Sequence, residues 1–319
     1  MRHLAVALAL LAAACAPRLE PAGPAVAVAE LTDPAAIAPD GARLPIKAWL
    51  PRGEPKAVVI ALHGFNDYGN FFARPGAWLA ERGVAAYAYD QRGFGEAPNR
   101  GLWAGTETLT ADLRTVADLV RRRHPGRPLH LLGESMGGAV VMAALTRPDP
   151  PAVDGVVLSA PAVWGREAMP WYQVLALQLS AYTVPWLTVS GRGLNRKPSD
   201  NYEMLCALGR DPLVIKDTRI DAVHGLADLM DEALDAAPRL ATPALILYGL
   251  KDDIIPAEPT RRLLSRLPEG HPHRIALYWE GHHMLLRDLS AEIFWTDILA
   301  WMLAPRAPLP SGADDRPWR

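Results

Sequence analysis

The sequence predicts an α/β domain with a mainly parallel sheet covered by helices on both faces. Three observations point there. Short apolar, β-branched runs recur at 57–62 (AVVIAL), 84–89 (VAAYAY), 129–132, 156–159, 244–248 (ALILY) and 274–279, and read as buried strands. Segments near 70–82, 108–123, 226–237, 259–267 and 290–303 lie between and after them, and several carry apolar residues at helical spacing. Most of the strand runs lead into turns rich in Gly, Asp or His. Strands that alternate with helices form parallel sheets, because each crossover helix returns the chain to the same edge direction.

Taken in order, the chain opens with a basic Arg2-His3 pair and an apolar run of 11 residues, 4–14. A membrane span needs about 20 such residues, so this run fits the core of a secretory signal. Ala12-Ala13-Ala14-Cys15 resembles a bacterial lipobox, in which the cysteine is lipidated and becomes the new N-terminus, although Leu is missing three residues before Cys15. The other reading is an ordinary signal cut after A-x-A, with Cys15 unmodified. The lipobox reading implies anchoring in a bacterial cell envelope. Residues 16–35 are rich in Pro and Ala and read as a tether. The folded domain spans 36–305 and begins with a hairpin turning at Asp40-Gly41. After Pro161 the alternation stops, and 162–223 reads as a Trp- and Leu-rich insertion after the sixth strand. It is expected to cap the carboxyl ends of the strands, where open α/β sheets place their sites. Its Trp164, Trp171, Leu175 and Trp186 are candidates for an apolar substrate pocket. Residues 306–319 read as a Pro-rich disordered tail.

Composition excludes several classes. Half of the 319 residues are apolar and the formal net charge is −2, so neither a nucleic-acid surface nor a polybasic membrane patch is indicated. With Cys15 in the leader, Cys206 is the single thiol of the domain, which rules out an internal disulfide and a Cys-based metal cluster.

The chemistry centres on Gly133-Glu134-Ser135-Met136-Gly137-Gly138, between a buried strand and a small-residue helix. This G-x-S-x-G pattern suits a serine on a strained strand-to-helix turn. Glycines two residues away on each side let strand and helix approach. Ser135 is therefore the candidate nucleophile, and the N–H of Met136 faces the same point, aided by the helix N-terminus. A second oxyanion donor is expected from the loop after the ALHG strand, where Phe65 is placed for it. His63 is expected to bond within that loop. Gly249-Leu250-Lys251-Asp252 leaves the ALILY strand and presents Asp252, with Asp253 beside it, as the acid that orients a histidine. Glu280-Gly281-His282-His283 follows the last strand, and one of the two histidines is the expected base. His130 and His224 lack such a setting.

Together the segments ALHGFND, YDQRGFG, GESMGGAV, LSAP, RDPLVI, LYGLKDDIIP and EGHHMLLRDL resemble the monoacylglycerol lipase and lysophospholipase branch of the α/β-hydrolases. The resemblance implies an eight-stranded sheet, a cap that binds acyl chains, a Ser-Asp-His triad without a metal or other cofactor, and a lipid or small ester as substrate. It also bears on the histidine. The family spaces glycine and base as G-x-x-H, whereas Gly281-His282-His283 is one residue short. His283-Met284-Leu285 keeps the family's continuation, which favours His283 and leaves His282 as a turn residue lining the pocket mouth.

Overall fold

The computed structural model describes residues 16–193 and 195–318. The leader and Cys15 lie outside the described residues. The strands are β1 (Glu30–Leu31), β2 (Ala35–Ile37), β3 (Arg43–Trp49), β4 (Ala57–Leu62), β5 (Val84–Tyr89), β6 (Leu129–Glu134), β7 (Gly155–Ser159), β8 (Thr188–Ser190), β9 (Asp217–Arg219), β10 (Ala244–Gly249) and β11 (His273–Tyr278). The α-helices are α1 (Ala73–Glu81), α2 (Thr106–Arg123), α3 (Met136–Leu145), α4 (Trp171–Thr183), α5 (Tyr202–Arg210), α6 (Ile220–Ala236), α7 (Ala257–Arg266) and α8 (Ala291–Leu303).

The main sheet has the order β1-β2-β3-β5-β4-β6-β7-β10-β11. From β5 to β11 every neighbouring pair is parallel, and β1, β2 and β3 form an antiparallel edge. The expected hairpin at Asp40-Gly41 joins β2 to β3. Alternation along β4 shows how both faces are used. Val58, Ile60 and Leu62 enter one core with α2, α3 and α6, and Ala57, Val59 and Ala61 enter the other with α8. A strand buried on both faces reads as an unbroken apolar run, and β4 is buried throughout.

Four expectations need correction. The main sheet has nine strands rather than eight, the addition being the two-residue β1. The 16–35 segment is not a free tether. Its Glu20 N–H donates to the Trp103 carbonyl at 2.9 Å, and Ala22 N–H to Thr108 Oγ1 at 3.0 Å. Val26 and Ala27 both donate to the Pro39 carbonyl, and β1 and part of β2 lie within the segment. The described part of the tail, 306–318, is docked too. Leu309 and Ala313 are buried, Ser311 N–H donates to Asp297 Oδ1, and the Trp318 ring stacks on Tyr248 with centroids 5.0 Å apart. Composition misleads in both places because a Pro-rich strap can dock through a few side chains and carbonyls without a periodic pattern. Finally, α6 begins at Ile220 instead of 226, which shortens the insertion at its far end. Within that insertion β8 and β9 pair with each other, separate from the main sheet.

Candidate active site

The elbow between β6 and α3 places Ser135 at φ 52° and ψ −115°, a strained conformation for a residue with a side chain. Its neighbours must be glycines. A Cβ on Gly133 would lie 2.4 Å from the Gly138 nitrogen, and one on Gly137 would lie 2.3 Å from the Leu62 carbonyl oxygen. Ser135 N–H donates to the Ser159 carbonyl of β7 at 2.9 Å, which locks the turn to the next strand. Met136 opens α3, so its N–H is one of the first-turn donors that a helix leaves without an internal acceptor.

The loop after β4 sits beside the elbow. A Cβ on Gly64 would be 3.4 Å from that of Ser135. Asp67 N–H donates to the Gly64 carbonyl at 3.3 Å, and Asn66 takes φ 67°, the positive value that a type II turn requires at its third residue. Phe65 is the second residue of this turn. Its ring is held edge-on by Phe94 and Trp103, and Asn66 is tied to the insertion through Thr218 Oγ1 and the Ile215 N–H. His63 is fully buried. Its Nε2 accepts from the Gln91 N–H at 3.0 Å, so the proton lies on Nδ1, which donates to the Gly64 carbonyl at 2.8 Å. Burial holds this ring's pKa below the ordinary histidine value. With both nitrogens engaged it supports the loop.

The loops after β10 and β11 meet closely. A Cβ on Gly249 would lie 2.3 Å from the Gly281 carbonyl oxygen. Asp252 Oδ1 accepts from the N–H groups of Ile254 and Ile255 at 2.8 and 2.9 Å, which fixes the carboxylate. Its Oδ2 lies 2.8 Å from His283 Nδ1. Asp253 points elsewhere and accepts from the Lys197 N–H. Burial opposes charge on His283, but the Asp252 carboxylate, the bond to it and Glu134 outweigh burial and raise the ring's pKa. His282 is not at a pocket mouth. It is buried, and its N–H donates to Asp288 Oδ2 at 2.8 Å.

Sequence reading missed one buried ion cluster. Arg287 Nη1 lies 2.7 Å from Asp67 Oδ2, and its Nη2 lies 2.8 Å from Glu134 Oε1. All three are buried. One guanidinium thus joins the turn of Phe65, the strand leading to Ser135 and the loop of His283. The available signal was Glu134 itself, a charge at the end of an apolar strand that needs a buried partner.

The four candidate pocket residues are not gathered in one place. Trp164 is partly buried against the core and donates from Nε1 to the Ala168 carbonyl. Trp171, Leu175 and Trp186 are 76%, 49% and 50% exposed. A cavity of about 390 Å³ instead lies between Tyr68, Phe71, Met204, Leu208, Asp211 and Arg287.

The chain is similar to several known proteins. The family model described as "Serine aminopeptidase, S33" matches residues 53–290. The monoacylglycerol lipase of Mycolicibacterium smegmatis is 25% identical over 269 residues, covering 83% of this chain and 94% of that protein. Human monoglyceride lipase is 26% identical over 260 residues, covering 78% and 82%. The crystal structure of Paleococcus ferrophilus monoacylglycerol lipase superposes with a TM-score of 0.68 at 27% identity, over 82% of this chain and 98% of the other. The fold and the family model together establish that this chain belongs to the α/β-hydrolase family described as serine aminopeptidase, S33.

Proposed function

We propose that the protein is a serine esterase that cleaves carboxylic esters of lipids, monoacylglycerols or lysophospholipids, through an acyl-enzyme on Ser135. The observation that carries this reading is the strained elbow serine at the same end of the sheet as the Asp252–His283 pair. His283 takes the Ser135 proton as Oγ attacks the ester carbonyl carbon. The resulting oxyanion is held by the N–H groups of Met136 and Phe65. Collapse breaks the carbon–oxygen ester bond, and His283 protonates the departing alcohol. Water, deprotonated by His283, then attacks the acyl-enzyme, releasing the acid and restoring Ser135.

The substrate class rests on the relatives named as monoacylglycerol and monoglyceride lipases, and on the insertion. Residues 168–191 contain no Asp, Glu, Lys or Arg. Helix α4 rests on the body near Leu177 and Ala181, while Trp171, Tyr172, Leu175, Leu179 and Tyr182 are exposed along its other side. Such a face suits an enzyme that takes substrate from a lipid surface, with aromatic rings at the interface. Lipidation of Cys15 would anchor the enzyme in the bacterial envelope, and Cys15→Ser should then shift it to the soluble fraction; unchanged fractionation and mass would remove that part of the proposal.

A panel of p-nitrophenyl esters of increasing acyl length tests the substrate, followed by monoacylglycerol, lysophospholipid and amino-acid p-nitroanilides. Each buried methylene is worth about 0.8 kcal/mol, so kcat/KM should rise by up to about fourfold per methylene until the pocket is full. Strict preference for acetyl esters, or for the p-nitroanilides, would overturn the lipid reading.

A further inference from the structure

A second cluster of polar side chains lies behind His283, where the insertion meets the loop after β11. The seam is held by hydrogen bonds from both sides. Met284 N–H donates to the Pro198 carbonyl at 2.8 Å, Asn201 Nδ2 to the Arg287 carbonyl at 3.0 Å, and Leu289 N–H to Asp200 Oδ1 at 2.8 Å. Ser199 Oγ donates to Asp288 Oδ1 at 2.6 Å. Donor atoms of Asp200, His282 and Asp288 all lie within 4.8 Å of one another.

His282 does not fit a purely structural reading of this seam. It is only 5% exposed, and its Nδ1 has no hydrogen-bond partner. That nitrogen is aimed at Asp288 Oδ2 from 3.6 Å, beyond hydrogen-bond length. Asp288 is 1% exposed, and neither it nor Asp200 pairs with a Lys or Arg among the described residues. An orphaned buried imidazole nitrogen therefore lies beside the Asp288 carboxylate, in a group that includes Asp200 and has no Lys or Arg among the described residues. Buried polar groups left this way cost free energy unless something satisfies them. Zinc–nitrogen and zinc–oxygen bonds of about 2.0–2.2 Å place neighbouring donors about 3.3 Å apart, so drawing the three side chains together from within their 4.8 Å bound completes three ligands.

We propose that Asp200, His282 and Asp288 form a divalent-cation site of the Zn²⁺ or Mn²⁺ type, the metals that one imidazole and two carboxylates suit. The bound ion would clasp the insertion to the loop carrying His283. It lies behind the hydrolytic chemistry and takes no part in it. The proposal stands whether or not the substrate is a lipid.

The test is metal binding by the full chain after chelation, with Zn²⁺, Mn²⁺ and Ca²⁺ added singly. Stoichiometry is read by calorimetry and Tm by thermal unfolding. Asp288→Asn also weakens the acceptor for Ser199 and His282, so the decisive variants are Asp200→Asn and His282→Gln. His271, exposed and stacked on the partly buried His273, is a competing surface site, and His271→Ala controls for it. The site predicts one equivalent of Zn²⁺ or Mn²⁺ per chain, with a raised Tm. Affinity should fall about tenfold or more in Asp200→Asn and His282→Gln, with a correspondingly smaller rise in Tm, and both should persist in His271→Ala. No bound equivalent, equal binding by the decisive variants, or loss in His271→Ala alone would overturn it.

Discussion

Asp252 Oδ2 and His283 Nδ1 lie 2.8 Å apart, and both side chains are buried. The two come from different loops, after β10 and after β11, and the pairing settles which of two adjacent acids meets which of two adjacent histidines. It also sets a pH dependence. The carboxylate raises the His283 pKa above the ordinary value of about 6.5, and only the neutral ring can accept a proton. The acid limb of kcat/KM should therefore lie above that value. Asp252→Asn should move the limb down and lower kcat by about 10⁴-fold. The sign for stability is opposite. A raised folded-state pKa stabilises the protein below the unfolded value, and that contribution is lost as pH rises through the folded value. An acid limb at or below the ordinary histidine value in the native enzyme would contradict this.

The two histidines should separate cleanly. His283→Ala should lose turnover about as fully as removal of the nucleophile, because base and serine act as a unit. His282→Ala should keep most of it, since His282 meets Asp288 rather than Asp252. Parallel esterase assays on the two purified variants decide the matter, and the reverse pattern would move the base to His282.

Arg287 is the structural keystone beneath the site. Replacing it with Met leaves Asp67 and Glu134 buried without their shared cation. Breaking a buried ion pair from one side costs about 3–5 kcal/mol. Arg287→Met should lower stability by that order in denaturant unfolding, and esterase activity should fall along with it. Wild-type stability would show that the cluster contributes little.

Much of this was legible in the chain. Buried parallel strands announce themselves as AVVIAL or ALILY, because both faces are covered and no alternation is needed. The elbow was legible because only glycine fits at Gly133 and Gly137, so the backbone demand leaves a mark in the sequence. The docked segments at either end were not, since Glu20 and Val26 bond through main-chain groups that any residue possesses. The Arg287 cluster and the Asp200–His282–Asp288 seam join residues far apart in sequence, and no spacing encodes them. Exposure of Trp171 and Leu175 was hidden for another reason: an apolar helix has the same composition whether its second face is covered or bare.

Ser135 is the nucleophile on which the proposed chemistry depends. The direct measurement is covalent trapping: incubate the enzyme with a fluorophosphonate, then map the adduct by peptide mass spectrometry. One adduct per chain is expected, on Ser135, with esterase activity lost in proportion to labelling and neither adduct nor turnover in Ser135→Ala. Full turnover by Ser135→Ala, or an inactivating adduct on another residue, would contradict this.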